Sequence, residues 1–227
     1  MQVTIAQSNI NAVAYAMAKA DIRYYLCGML LQHNGEETRL VATDGHRLHA
    51  VRIEHKDGLT IDPVEVIIPD TLIRTICKAK ASRNNKLPTV TITVDGNRIS
   101  VLLPDGTESV ATAIDGKFPD YSRVIPDSFN GECAQYNPEY VSDCYSAVRD
   151  YFRTKNAYAY FNHNGDGVGG IAVDGFMAIV MPWRADKCAE GMGAMKAEMR
   201  KPSVPLPAGF EDAQAAVDYA NTMQQAA

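Results

Sequence analysis

Seven Asp-Gly dipeptides, at 44, 57, 95, 105, 115, 166 and 174, punctuate this chain of 227 residues. A two-residue hairpin needs positive φ in its turn, and Asp-Gly between alternating or apolar runs is the strongest short-range signal for one. RLVAT, DG and HRLHAVRI read as one hairpin. TVTITV, DG, NRISVLL, PDG and TESVATAI read as a three-stranded meander, whose Thr and Val alternation suits a half-buried sheet. Antiparallel sheet therefore dominates the expected fold.

Helices interrupt the sheet at regular intervals. Over 7–20, Ile10, Val13, Ala14 and Met17 recur at helical spacing; over 70–83, Leu72, Ile73 and Ile76 do so behind Asp70, which suits an N-cap. Asn137, Pro138 and Glu139 supply cap, first-turn proline and favourable acid for a third helix, with Val141, Cys144, Val148 and Phe152 as its buried stripe. The chain thus reads as three units of strand, helix and three strands, over 1–53, 64–114 and 131–184, a structural repeat with little shared sequence. The fold class is α+β. Residues 186–227 turn to Ala, Met, Gly and Pro, which predicts a flexible extension with one helix near 209–224.

Composition narrows the function. A formal charge of −5 and a pI near 5.5 argue against a surface that is basic throughout, while leaving room for a local basic face. No run of about 18 apolar residues and no signal-peptide pattern is present, so a cytoplasmic chain with no membrane contact is expected. Five cysteines without a CxxC pair disfavour a disulfide framework or a zinc ribbon and suit buried thiols. In LVATDGHRLHAVRI, the Asp, two His and Arg resemble an active site. However, His46 and His49 fall on opposite faces of one strand, Asp44 is taken by the turn, and no activated nucleophile pattern occurs elsewhere. No catalytic residue, metal ligand or cofactor is expected. GDGVGG at 165–170 runs into an apolar strand rather than a helix, so it reads as a flexible hairpin tip and not a phosphate loop.

DIRYYLCGMLL, LVATDGHRLHAV, DGKFPDYSRVIP and AIVMPWR resemble, in the same order, segments of the bacterial DNA polymerase III β subunit, the sliding-clamp family. Residues 1–126 resemble a complete middle domain of two modules, and 127–185 the second half of the last domain. The resemblance implies a DNA-clamp-like fold with helices inside and sheets outside, and a sliding-clamp-like processivity factor, phage-encoded forms included, that holds duplex DNA without reading sequence. Implied partners are DNA polymerase and other clients carrying clamp-binding motifs, a clamp loader, and further copies of the chain. Family rings hold twelve modules, so three per chain would need four chains. The alternative is an open clamp-like adaptor or decoy that binds such motifs without encircling DNA.

Matched residue by residue, the resemblance assigns Leu26, Thr43, Gly45, His46, Arg47 and Leu48 to a peptide pocket, with Pro119, Arg123 and Val124 from the connector. Asn137, Tyr140, Ile179, Val180, Met181, Pro182 and Arg184 match its last-domain positions, and Trp183 stands where the family often has an aliphatic residue. Arg23, Tyr24 and Tyr25 match DNA-touching positions. Charge adds candidates independently: Arg74, Lys78, Lys80, Arg83 and Lys86 against Asp70 give the second helical stretch +4. The three helical stretches together hold +5, leaving −10 elsewhere, a distribution suited to diffuse phosphate contacts.

Overall fold

A computed structural model describes residues 1–55, 63–80 and 86–183. Met1–Trp183 form one compact unit. The expected helix near 209–224, together with Arg83 and Arg184, lies outside the described residues. The first module contains β1 (Gln2–Ala6), α1 (Gln7–Ala14), β2 (Gly28–His33), β3 (Glu37–Thr43) and β4 (Arg47–Glu54). The second contains β5 (Val64–Pro69), α2 (Asp70–Lys78), β6 (Thr89–Asp95), β7 (Arg98–Leu102) and β8 (Glu108–Thr112). The third holds α3 (Pro138–Phe152), β9 (Gly169–Val173) and β10 (Phe176–Val180).

The modules exchange their first strands. One sheet has the order β1-β6-β7-β8 and the other β5-β2-β3-β4-β10-β9, so β1 completes the second module's sheet and β5 the first's. All pairings are antiparallel. The third module departs from the expected four strands. Its first strand is reduced to a bridge between Gln135 and Trp183, and the strand after α3 to a bridge between Asn162 and Gly170. The reason is the exchange itself: these two segments correspond to strands that a sister module would pair, and no sister module stands beside the third among the described residues.

Helix ends also differ from the sequence expectations. The first helix stops at Ala14, where the chain tightens into i−3 turns (Ala16 N–H to Val13 O, 3.2 Å) before Ala20 takes a positive φ of 60°. Asp70 does not cap α2; Pro69 occupies that position, and Asp70 pairs with Arg74 one turn on at 2.8 Å. The third helix starts as expected, with the Asn137 side chain accepting from Glu139 N–H at 3.0 Å. Its stripe is Cys144, Ala147 and Val148; Phe152 is exposed.

Strand alternation splits the six-stranded sheet between two apolar clusters. Met29, Leu31, Leu40, Ala42, Val51, Ala178 and Val180 face α1 and α3. Leu30, Val41, Leu48, Ile67 and Ile179 face the other way, under Leu26 and Phe118 of the connecting segments. A sheet buried on both faces explains why β2 and β3 read as near-continuous apolar runs.

His49 pins the helix side. It is fully buried, its Nδ1 lies 2.9 Å from Ala12 O on α1, and its Nε2 lies 3.7 Å from Cys144 Sγ on α3. A neutral ring donating to the carbonyl and accepting from the thiol satisfies both contacts. Burial accordingly holds the imidazole pKa down to about 4 and pushes the Cys144 thiol up to about 12. A histidine with a depressed folded-state pKa stabilises the fold above its ordinary value near 6.5, and that contribution is lost as pH falls toward 4. Unfolding free energy should therefore drop by about 3 kcal/mol on this account between pH 7 and pH 4. His49→Gln should be less stable at pH 7 but lose less over that range in urea titrations. Parallel losses in both proteins would show that His49 does not titrate there.

Candidate functional site: a cleft at the β4–β10 junction

The turn between β3 and β4 is held by its own polar atoms. Asp44 Oδ1 accepts from the N–H groups of His46 (2.9 Å) and Arg47 (3.1 Å), and Oδ2 accepts from Arg47 Nε at 3.0 Å. Thr43 Oγ1 donates to Arg47 O at 2.6 Å and accepts from Gly45 N–H at 3.1 Å. Gly45 sits at φ +89°, where a side chain would be strained and its Cβ would lie 3.0 Å from the Arg23 guanidinium.

Arg47 ties this hairpin to the third module. Only 8% of it is exposed; beyond Asp44 it pairs with Asp143 on α3, and its Cζ sits 4.4 Å from the centroid of the Tyr140 ring. His46 stacks on the same ring at 6.3 Å. The ladder between β4 and β10 runs from Arg47–Val180 to Val51–Phe176, and Met181 N–H extends it to His46 O at 2.8 Å. A buried, multiply bonded guanidinium with an aromatic face beneath it fixes the turn before any ligand arrives.

On the sheet face away from the helices this leaves a cleft of about 210 Å³. Leu26, Leu48 and Ile179, each at most 3% exposed, form its floor. Pro119, Val124, Val168 and Met181 wall it, and Arg23, Thr43, His46, Asp120 and Tyr121 contribute polar groups. Arg23 is oriented by Asp21, whose two carboxylate oxygens accept from its Nε and Nη2 at 3.0 and 2.7 Å, while Nη2 also reaches Asp44 O at 3.1 Å. Hydrogen bonds from the Arg23 side chain and backbone hold the Asp21 carboxyl down at about 2. A wider hollow of about 440 Å³ opens between α1 and the end of α3, but every residue lining it except Pro88 is polar or charged. An apolar floor with a few convergent polar groups favours the smaller cleft as the ligand site.

Ten residues named from sequence line this cleft: Leu26, Thr43, Gly45, His46, Arg47, Leu48, Pro119, Val124, Ile179 and Met181. Val180 does not. Strand alternation turns it to the opposite face from Ile179, and it is fully buried in the helix-side cluster. Asn137 caps α3, and Tyr140 braces the hairpin from beside the cleft. Arg123, Pro182 and Trp183 stay off the lining; Trp183 is half-exposed, and its backbone N–H donates to Gln135 O. Arg23, expected to face DNA, also lines the cleft.

Sequence reading missed Asp120, Tyr121 and Val168. The first two lie inside the quoted DGKFPDYSRVIP, between residues that were named, so that segment held the signal. Val168 lies in the GDGVGG run, which offered none. Gly170 of that run answers to packing: a Cβ there would fall 2.2 Å from Ala178 O. Of the remaining DNA candidates, Tyr24 is exposed and Tyr25 half-buried against the cleft-side cluster. Arg74, Lys78 and Lys80 are exposed on or just beyond α2.

The family model for the DNA polymerase III beta subunit, central domain, matches residues 2–120. The beta sliding clamp of Pseudomonas aeruginosa is 36% identical over 130 residues, which is 56% of this chain and 34% of that protein. That of Escherichia coli K12 is 36% identical over 117 residues, 52% of this chain and 30% of that protein. The chain thus spans about a third of the length of the curated relatives it matches. Among solved structures, the DNA polymerase III subunit beta from Pseudomonas aeruginosa superposes with a TM-score of 0.65 at 21% identity, over 81% of this chain and 66% of that one. The beta subunit from Thermotoga maritima gives 0.60 at 19% identity, over 81% and 65%. At these identities the structural likeness is one of fold, and it reaches beyond the residues that the family model covers. The chain belongs to the DNA polymerase III beta subunit family, matched through that family's central domain.

Proposed function

We propose that this protein is a sliding-clamp-like processivity factor that contacts duplex DNA through its helix side. On this reading it tethers polymerase or other clients through the cleft at the β4–β10 junction. The observation that carries the reading is the pre-ordered cleft: an apolar floor of Leu26, Leu48 and Ile179 beside a turn locked by Asp44 and Arg47. Such a site suits a short peptide presenting aliphatic or aromatic anchors and one side-chain amide, because little conformational freedom is lost on the protein's side. It is a binding reading and not an enzymatic one, with the His46 ring stacked on Tyr140 as part of the wall. In domain terms, 1–126 would be a complete clamp-like domain and 127–185 half of one, with 186–227 an extension.

The helix side supports the DNA part of the reading. Arg74, Lys78 and Lys80 are joined by cations that net charge concealed: Arg149, Arg153 and Lys155 gather at the end of α3 around the polar hollow beside α1. Arg153 also donates to Lys86 O, which brings the α3 end up to the segment following α2. Of the acids there, Asp150 accepts from Tyr15 at 3.1 Å and Asp70 pairs with Arg74. Clamp loaders and clients with clamp-binding motifs are the partners the reading names.

Two outcomes follow. Leu48→Ala with Met181→Ala should weaken a peptide of the stated chemistry by roughly 1 to 3 kcal/mol in calorimetric titration, the scale of truncating interface anchors. Unchanged affinity in a folded variant would place the peptide elsewhere. Arg74→Glu with Lys78→Glu should lower affinity for duplex DNA and flatten its dependence on salt. An identical salt slope for wild type and variant would make those residues a solvated face only.

A further inference from the structure

The segment that follows α3 turns small residues inward and large ones outward. Ala157, Ala159 and Phe161 pack against the helix-side cluster, and the Phe161 ring is braced by Tyr136 at 5.1 Å and His163 at 5.6 Å. Alternation along the segment turns Tyr158 and Tyr160 the other way, where they stand 91% and 90% exposed. One face thus anchors the segment, and the other offers two phenol rings. With no sister module beside it among the described residues, that second face stays open.

Charge in this segment is as one-sided as burial. No Asp or Glu occurs from Tyr151 to Gly165, in a chain whose formal charge is −5. Arg153 and Lys155 lie inside that run, and Arg149 lies one turn back on α3. None of these three cations enters an ion pair among the described residues. Of the acids that flank the run, Asp150 accepts from the Tyr15 hydroxyl at 3.1 Å, and Asp166 lies beyond Gly165. Lys155 is three residues from Tyr158, within about 11 Å along even a fully extended chain. Aromatic faces beside cations, with no carboxylate between them, complement a ligand that is both flat and anionic.

We propose that Tyr158 and Tyr160 form a stacking platform for single-stranded nucleic acid, whose phosphates meet Arg153 and Lys155. Side chains two apart on an extended chain stand about 7 Å apart, twice the ~3.4 Å spacing of stacked bases. One base therefore fits between the rings in contact with both. In a duplex the base faces are closed by their own neighbours, whereas an unpaired strand presents them. Asn156, Asn162 and Lys155 flank the rings in sequence, rather than the aliphatic side chains found at the centre of a protein interface, which favours nucleic acid over a protein partner. The inference goes beyond the clamp reading, because these tyrosines belong neither to the cleft nor to the helix face. In chain order the cations at the α3 end lie between that face and the rings, so a strand continuing from a duplex on the helix side would cross them first.

Fluorescence anisotropy at low salt, with a labelled oligothymidylate of about 12 nucleotides, tests this at a length typical of single-strand sites. Tyr158→Ala and Tyr160→Ala should each weaken binding by roughly 5- to 150-fold, the range that base–aromatic stacking spans under alanine substitution. Duplex affinity should not change. Tyr158→Phe with Tyr160→Phe should bind as wild type does, since the ring and not the hydroxyl stacks. Arg74→Glu with Lys78→Glu should lower duplex affinity far more than oligothymidylate affinity, which keeps failure here apart from failure of the clamp reading. A wild type with no saturable oligothymidylate binding overturns the inference, as do alanine variants that bind normally or that lose duplex and single strand in equal measure. So does an alanine pair that keeps oligothymidylate affinity but changes mass in sedimentation velocity, which would make the rings a contact between proteins. Should an alanine variant unfold, photocrosslinking of a bromodeoxyuridine oligonucleotide to wild type decides: adducts at Tyr158 or Tyr160 support the platform, and adducts only elsewhere overturn it.

Discussion

The antiparallel pairing of β4 with β10 is the contact on which the rest depends. It makes one six-stranded sheet out of the first and third modules, and it does so between strands separated by more than a hundred residues. On one face of that seam, His49 of β4 reaches Ala12 of α1 and Cys144 of α3, and Tyr15, just past the end of α1, reaches Asp150 of α3 at 3.1 Å. On the other, Leu48 and Ile179, directly opposite in register, become the floor of the cleft. Without the seam neither the helix packing nor the cleft would exist.

Cost and use are separated across the seam. The polar groups that are expensive to bury, Arg47, Asp44 and His49, satisfy one another or a neighbouring backbone, so they stabilise geometry. The surfaces left for recognition are apolar. Arg47 lines the cleft, but its guanidinium is committed to Asp44 and Asp143 over the Tyr140 ring, which makes it a brace with one visible edge. Arg23 is likewise committed to Asp21, with part of its exposed side chain left at the cleft mouth.

The exchange of first strands gives the first two modules a mutual dependence that the third lacks. β1 and β5 each complete the other module's sheet, whereas the equivalent segment at Gln135, and the one at Asn162 that corresponds to β2 and β6, make only isolated bridges. Tyr158 and Tyr160 stand about 90% exposed in that same region, and Val110 and Leu102 stand half-exposed near the open edge of β8. Both are places where a repeat built for mutual burial ends without a neighbour among the described residues. The relatives, of which this chain spans about a third, are correspondingly longer.

By itself the sequence determined the local pieces. Asp-Gly turns, alternating Thr and Val, and the Asn137-Pro138 helix start are short-range chemistry, so the strands around α1 and α2 and the start of the third helix were legible, as were most residues of the cleft through ordered family segments. Tertiary structure alone decided what each piece faces. Val180 and Ile179 look equally apolar in sequence, yet one closes the helix-side core and the other the cleft, because a strand's two faces are assigned only when it pairs. Arg23 reads as a free cation until Asp21 and the turn at Gly45 capture it, and only folding sets the Arg149, Arg153 and Lys155 end of α3 beside α1 and the segment after α2. The crossing of β1 and β5 between sheets is invisible in sequence for the same reason: backbone hydrogen bonds carry no residue identity, so which strands meet is settled by the burial of all of them together.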